Sequence, residues 1–122
     1  MELHESGEMY LETIFILKKK NEYVRSIDIA NMMNFSKPSV SRAIKILKES
    51  GMITMDQKGY IDFTQEGEER AQEVYNKHIT LTHFLIHIGV QKDIAEEDAC
   101  RIEHIMSDET YECIKKFLEK QS

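Results

Sequence analysis

The stretch ACRIEHIMSDET, residues 99–110, places a thiol, a carboxylate and an imidazole within five positions: Cys100, Glu103 and His104. The whole chain has two cysteines and five histidines, so the crowding calls for a chemical explanation. On an α-helix, positions i, i+3 and i+4 share a face about one turn apart. Thiolate, carboxylate and imidazole are common protein donors to transition metals, and three on one face supply part of a coordination shell. A closed shell needs a donor from elsewhere. The candidates are Met9, a thioether near the start of the first helical stretch, and Glu12, one turn later on the same side. His78, midway along a long helical stretch, and Glu96, one turn before Cys100, are two more.

Other ligand-type residues have plainer readings. His83 and His87 lie four apart, a usable ligand spacing, but Phe84, Leu85 and Ile88 beside them point to packing or a subunit contact. Cys113 has no partner pattern and is expected to be buried packing. His4 is expected at a solvated terminus. A catalytic Cys100–His104 pair would need an oxyanion loop and an orienting third group, and neither is evident. No enzymatic activity and no organic substrate are therefore expected.

With 122 residues the chain makes one or two small domains. Its 41% hydrophobic and 31% charged residues are an ordinary soluble balance. No apolar run is long enough to span a bilayer, so no membrane partner is expected. The opening MELHESGEMY is acidic and polar, unlike a signal peptide, and the two cysteines show no pairing pattern. Both features suggest a reducing cytoplasm. The net charge of −6 is unevenly spread. Residues 18–58 carry nine basic and four acidic side chains, whereas residues 61–122 carry seven basic and fourteen acidic ones. The first segment suits contact with a polyanion; the second suits another task.

The elements that must position these groups follow from periodicity and caps. Apolar residues at helical spacing predict a helix over 8–19. Ser26 is placed to cap a short helix, IDIANMM. Asn34 and Phe35 make a turn, and Ser36 caps a helix with Pro38 in its first turn and Val40, Ile44 and Leu47 on its buried stripe. Gly51 ends it as a left-handed cap. Two β-type runs, 52–56 and 60–63, flank QKG as a hairpin. Thr64 caps a long helix reaching towards Gly89, a further helix covers KDIAEEDACRIEHIM, and Ser107 caps the last.

Helix, short helix, tight turn, amphipathic helix and small hairpin, in that order, make a winged helix-turn-helix. Its second motif helix enters the DNA major groove and its wing approaches the backbone. The solvent face of 36–48 offers Ser36, Lys37, Ser39, Ser41, Arg42, Lys45 and Lys48, groups that reach phosphates and base edges. Arg42 suits guanine, Pro38 and Ser39 a thymine methyl, and Lys58 at the wing tip a phosphate. The fold class expected is mainly α. A winged helix-turn-helix DNA-binding domain over 1–63 is followed by an all-helical metal-binding and dimerisation domain over 64–122.

Five segments occur in a telling order: EMYLETIFIL, IANMMNFSKPSVSRAIKILKESGMI, FTQEGEERA, NKHITLTHFL and EDACRIEHIMSDET. Together they resemble the diphtheria-toxin-repressor family of iron- and manganese-dependent transcriptional repressors, over roughly residues 5–118. The string Cys-x-x-Glu-His-x-Met-Ser-Asp-Glu is the specific part. The resemblance implies a primary metal site at Met9, Cys100, Glu103 and His104, and an ancillary site that includes His78. Thr82 and Glu96 stand where the family's ancillary site has a carboxylate and a histidine. Glu12 matches a ligand of the manganese-type branch, while Met9 and Cys100 match the iron-type branch. The chain resembles a short, two-domain member, whose second site would draw on Glu12, His78 and Glu103, with Glu96 in addition.

The resemblance also implies a homodimer on double-stranded palindromic operator DNA, repressing metal-uptake genes when metal is plentiful. Sulfur donors favour Fe(II), Co(II), Ni(II) or Zn(II) over Mn(II), so Fe(II) is the expected co-repressor. A manganese-responsive regulator of the same family is the alternative, as is a winged-helix regulator sensing an organic ligand without metal. Since Met9 falls in the first domain and the trio in the second, a bound ion is expected to tie the two together. It would thereby set the spacing of the two recognition helices of a dimer. Phe84, Ile88, Phe117 and Leu118 are candidate dimer residues.

Overall fold

Side-chain caps and left-handed residues decide where this chain starts and stops its helices. The computed structural model describes residues 5–121. The elements are α1 (Glu5–Lys20), α2 (Ser26–Met33), α3 (Lys37–Glu49), β1 (Ile53–Met55), β2 (Ile61–Phe63), α4 (Gln65–His87), α5 (Lys92–Ile102) and α6 (Asp108–Gln121). The mainly α class with a two-stranded wing is as the sequence implies. His4 lies outside the described residues. Residues 1–72 and 73–122 form two compact units, the division falling within α4.

In the first unit, α1, α2 and α3 pack on one another and β1 packs on α3. Leu11, Ile14, Val24, Ile29, Val40, Leu47 and Ile61 are fully enclosed and form the core. Ser36 caps α3, its Oγ accepting the Ser39 amide at 3.3 Å, with Pro38 in the first turn where no N–H is needed. Gly51 ends the helix at φ +77°. At α2 the cap differs from expectation. Ser26 is the first helical residue and Arg25 holds the cap position, where the Asp28 carboxylate accepts the Arg25 amide at 2.8 Å. The acid reaching back three residues satisfies an orphan N–H, so the serine hydroxyl is not needed there. Asn34 closes α2 in the left-handed region at φ +57°.

The wing pairs Ile53 with Phe63, Thr54 with Asp62 and Met55 with Ile61. Thr64 caps α4 by accepting the Gly67 amide at 3.0 Å, and its hydroxyl donates to the Gly51 carbonyl at 2.6 Å. Gly67 is required here, because a Cβ would lie 1.8 Å from the Met52 carbonyl oxygen. The first turn of α4 therefore sits directly on the chain that leaves α3.

In the second unit, Gly89 takes φ +107° and turns the chain from α4 into α5. α5 ends at Ile102 rather than continuing to Met106, and Glu103 and His104 occupy the turn that follows. Ser107 explains the early stop: its Oγ accepts the Thr110 amide at 3.2 Å and starts α6 five residues on. α6 meets α4 through Phe117, which stands edge-on to Phe84 at 5.9 Å and to His87 at 5.7 Å. Lys77 adds an ion pair to Asp108 at 3.4 Å. Cys113 is exposed, not buried as expected. The partly covered stripe of α6 runs through Tyr111, Ile114 and Leu118, and Cys113 lies one residue off it. Among the described residues, no helix is long and apolar enough to cross a membrane.

Candidate metal centre

Cys100 sits in the last turn of α5, and the backbone at Glu103 keeps helical angles, φ −58° and ψ −28°. The Glu103 amide still donates to the Ala99 carbonyl at 2.9 Å. The one-face spacing thus survives although the regular helix has ended. Cys100 Sγ, a Glu103 carboxylate oxygen and a His104 ring nitrogen all lie within 4.8 Å of one another. Glu103 is 2% exposed, the His104 side chain is enclosed and Cys100 is half-buried.

Glu103 is the hub of this cluster. Its Oε1 lies 3.2 Å from His104 Nε2, and its Oε2 lies 3.0 Å from His78 Nδ1 on α4. An ionised carboxylate only accepts hydrogen bonds, so at the 3.0 Å contact the His78 imidazole turns an N–H towards it, whereas Glu103 Oε1 and His104 Nε2 approach to 3.2 Å without a hydrogen bond between them. A cation would take the place of such a proton, since a ligating nitrogen must be bare. A buried carboxylate is costly unless it is paired or bound to metal, which the two imidazoles or an ion can provide. Sulfur, oxygen and nitrogen donors at this separation suit a borderline-soft divalent ion, so the residues present fit a transition metal.

Met9 is half-buried and Glu12 is 7% exposed; they are one turn apart on α1. The Thr13 hydroxyl donates to the Met9 carbonyl at 2.9 Å. Glu96 is exposed on α5 and does not join the trio. Thr82 donates its hydroxyl to the His78 carbonyl at 2.8 Å and so stays on its own helix. His83 and His87 are both exposed, with the His87 ring against Phe117.

On α3, Ser36, Lys37, Pro38, Ser41, Arg42, Lys45 and Lys48 are exposed and Ser39 is half-buried. Ser39 Oγ receives the Ser36 hydroxyl at 2.9 Å and Arg42 Nη2 at 3.3 Å, which braces the guanidinium on the helix surface. Lys58 is exposed at the wing tip. Among the described residues, none of these cations has a carboxylate at ion-pair distance, although the molecule is acidic overall. A cationic face whose side chains are not drawn into ion pairs is the footprint of a polyanion surface. The Arg25 guanidinium lies 4.6 Å from the Tyr60 ring centre, a contact across 35 positions that spacing does not reveal.

Comparison with known proteins finds a matching family for each half of the chain. Residues 2–61 match the family described as iron dependent repressor, N-terminal DNA binding domain. Residues 64–122 match iron dependent repressor, metal binding and dimerisation domain. The chain is 32% identical over 120 residues to an uncharacterised HTH-type transcriptional regulator of Methanocaldococcus jannaschii, covering 97% of this chain and 96% of that one. It is 34% identical over 111 residues to the transcriptional regulator MntR of Escherichia coli, covering 91% and 72%. The solved structure of the manganese regulator SloR superposes with a TM-score of 0.82 at 31% identity, covering 98% of this chain and 55% of that one. The chain therefore spans about half the length of SloR.

Proposed function

The chain belongs to the iron-dependent repressor family, and from that premise we propose that it is a metal-dependent, DNA-binding transcriptional repressor. The observation that carries the proposal is the convergence of Cys100, Glu103 and His104 on one buried spot, with ligand atoms within 4.8 Å. Cys100 as thiolate, Glu103 as carboxylate and His104 through a bare ring nitrogen hold the ion, with Met9 as the thioether ligand. Glu12, His78 and Glu103 would form the second set; Glu96, exposed and outside both groups of potential ligands, is not part of it. A bound ion would supply positive charge at this spot, which Cys100, Glu103 and His104 would meet with a thiolate, a carboxylate and a bare ring nitrogen.

Fe(II) is the proposed co-repressor, because two of the four primary donors are sulfur. The alternative is Mn(II), favoured by the oxygen-rich second set. Metal raises DNA affinity by as much as it prefers the binding-competent state over the other. On α3, Arg42 and its Ser39 brace read base edges while Lys37, Lys45 and Lys48 hold phosphates; Ser36, Pro38 and Ser41 line the same face, and Lys58 serves from the wing. The protein acts as a homodimer on a palindromic operator in the cytoplasm and has no catalytic role. The functional boundary is placed at Thr64, where the capped α4 begins.

The test is operator affinity of the full chain under anaerobic conditions, with duplexes selected from a random library by the Co(II)-loaded protein. Binding is measured with Fe(II), Co(II) and Mn(II), and again after chelation. Chelation is expected to weaken specific binding at least tenfold. Equal affinity with and without metal overturns the proposal.

A further inference from the structure

The base of the wing carries a cluster that the DNA-binding reading has not used. Tyr60, immediately before β2, stacks on Tyr23 with ring centres 4.6 Å apart and planes 29° apart. Arg25, at the cap of α2, lies over the Tyr60 ring at 4.6 Å and donates from Nη2 to Tyr60 Oη at 3.1 Å. The Ile61 amide donates to the Val24 carbonyl at 2.7 Å, so the strand carrying Tyr60 is hydrogen-bonded to the chain that leads into α2. At the tip, Asp56 Oδ1 accepts the Lys58 and Tyr60 amides at 2.9 Å each, and Gly59 takes φ +83°. The wing is thereby fixed both at its root and at its tip.

The carboxylates nearby are mostly occupied. Asp28 accepts the Arg25 amide, Asp56 holds the turn, and Asp62 pairs with Lys18 at 3.1 Å. Glu22 is exposed beside Tyr23. Among the described residues, neither Arg25 nor Lys58 has a carboxylate at ion-pair distance, and both are exposed. An open hollow of about 600 Å³ is lined by Tyr23, Asp56, Gln57, Lys58 and Tyr60; Asp56 Oδ1 in it is taken up by two backbone amides, and Arg25 does not line the hollow but adjoins it through the Tyr60 ring. A guanidinium laid on a neutral ring keeps most of its five donors turned outward, and it is less hydrated than an ammonium. This arrangement presents a fork suited to a phosphate oxygen pair.

We infer that Arg25, positioned by the Tyr23–Tyr60 stack, and Lys58 form a second phosphate grip beside the recognition helix, holding the DNA backbone without reading sequence. The inference rests on the DNA-binding function proposed above. The competing reading is a clasp that only pins the wing, and the two differ in what salt does. A lost phosphate contact removes counterion release, so the slope of log affinity against log salt becomes shallower by about one. A lost clasp lowers stability and leaves that slope alone.

The experiment uses the Co(II)-loaded full chain, with affinity for a selected operator and an unrelated duplex measured across salt concentrations. Arg25→Ala and Lys58→Ala are each expected to weaken both duplexes by a similar factor and to reduce the slope by about one. Arg25→Lys keeps the slope with lower affinity, and Tyr60→Phe keeps the ring and most of the binding. Folding is checked by circular dichroism and metal loading by cobalt absorption. If Arg25→Ala folds poorly, Arg25→Gln is read for the same slope. A folded, metal-loaded Arg25 variant with wild-type slope and affinity overturns the grip and leaves the repressor reading standing. A wild-type protein that binds neither duplex overturns both.

Discussion

Glu103 and His78 stand 25 residues apart in sequence, yet their side chains meet at 3.0 Å between Oε2 and Nδ1. The other Glu103 oxygen lies 3.2 Å from His104 Nε2 without a hydrogen bond between them, so one buried carboxylate stands between two imidazoles. Glu103→Gln keeps the size and removes the charge. Metal affinity is expected to fall by more than about a hundredfold, the upper range for supporting groups and a lower bound for a ligand. The fold should persist, because an amide can still hydrogen-bond the His78 ring. Cobalt titration followed by absorption measures the first and circular dichroism the second. Unchanged metal affinity would remove Glu103 from the centre.

In the proposed centre, Cys100 is the soft donor that would set the metal preference. Cys100→Asp replaces a soft donor with a hard one while keeping a negative charge. Competition titrations should show the ratio of Co(II) to Mn(II) affinity dropping at least tenfold, and the sulfur-to-cobalt absorption should vanish. A ratio like that of the wild type would mean the thiol does not touch the ion.

Ile88 is 58% exposed just beyond α4, next in sequence to His87, whose ring packs on Phe117. An apolar group this open in one subunit is available to a second copy. Ile88→Glu is expected to weaken dimerisation by about 10- to 100-fold, the equivalent of the roughly 1.5–3 kcal/mol of burying such a side chain. Sedimentation equilibrium reads the shift, and a dimer constant matching the wild type excludes Ile88 from the interface.

Much of this was legible in the sequence because caps and apolar periods are local signals. Ser36, Thr64 and Ser107 start their helices as their positions imply, and Asn34 and Gly51 end theirs in the left-handed region. The ligand trio was legible because i, i+3 and i+4 define a face even where the helix gives way to a turn. What escaped was competition between neighbours. Asp28 took the capping role from Ser26, and the cap at Ser107 cut α5 short. Cys113 looked apolar enough to bury, but the α6 stripe passes beside it. The Arg25–Tyr60 contact and the Gly67 requirement are tertiary, and neither leaves a periodic trace.

Gly67 shows how strict such a requirement is. Gly67→Ala forces a Cβ into the Met52 carbonyl, where no flexible side-chain end can yield. A loss of about 1–3 kcal/mol in urea unfolding is expected, as for overpacking in a core. Gly51→Ala is the control. Nothing lies within 4 Å of its Cβ position, so only the φ of +77° opposes it, at about 1 kcal/mol. Equal costs at the two positions would mean that the contact with Met52 relaxes.

The wing also has a pH response with a definite sign. The hydrogen bond from Lys18 holds the Asp62 carboxyl below the usual carboxylate range, burial opposes it in part, and the Phe63 amide and the Lys18 charge help. The folded value lies below the unfolded one. Its stabilisation is therefore complete above the unfolded value of about 3.9 and disappears as pH falls through the folded value. The Asp62 side chain is 70% exposed, so water and salt screen the pair and limit it to at most about 1 kcal/mol. In Lys18→Met the Asp62 carboxyl should titrate higher by NMR, and the stability difference from wild type, clear at pH 6, should shrink steadily once pH drops below 4. A titration midpoint that ignores the loss of Lys18 would show that the ammonium does not set it.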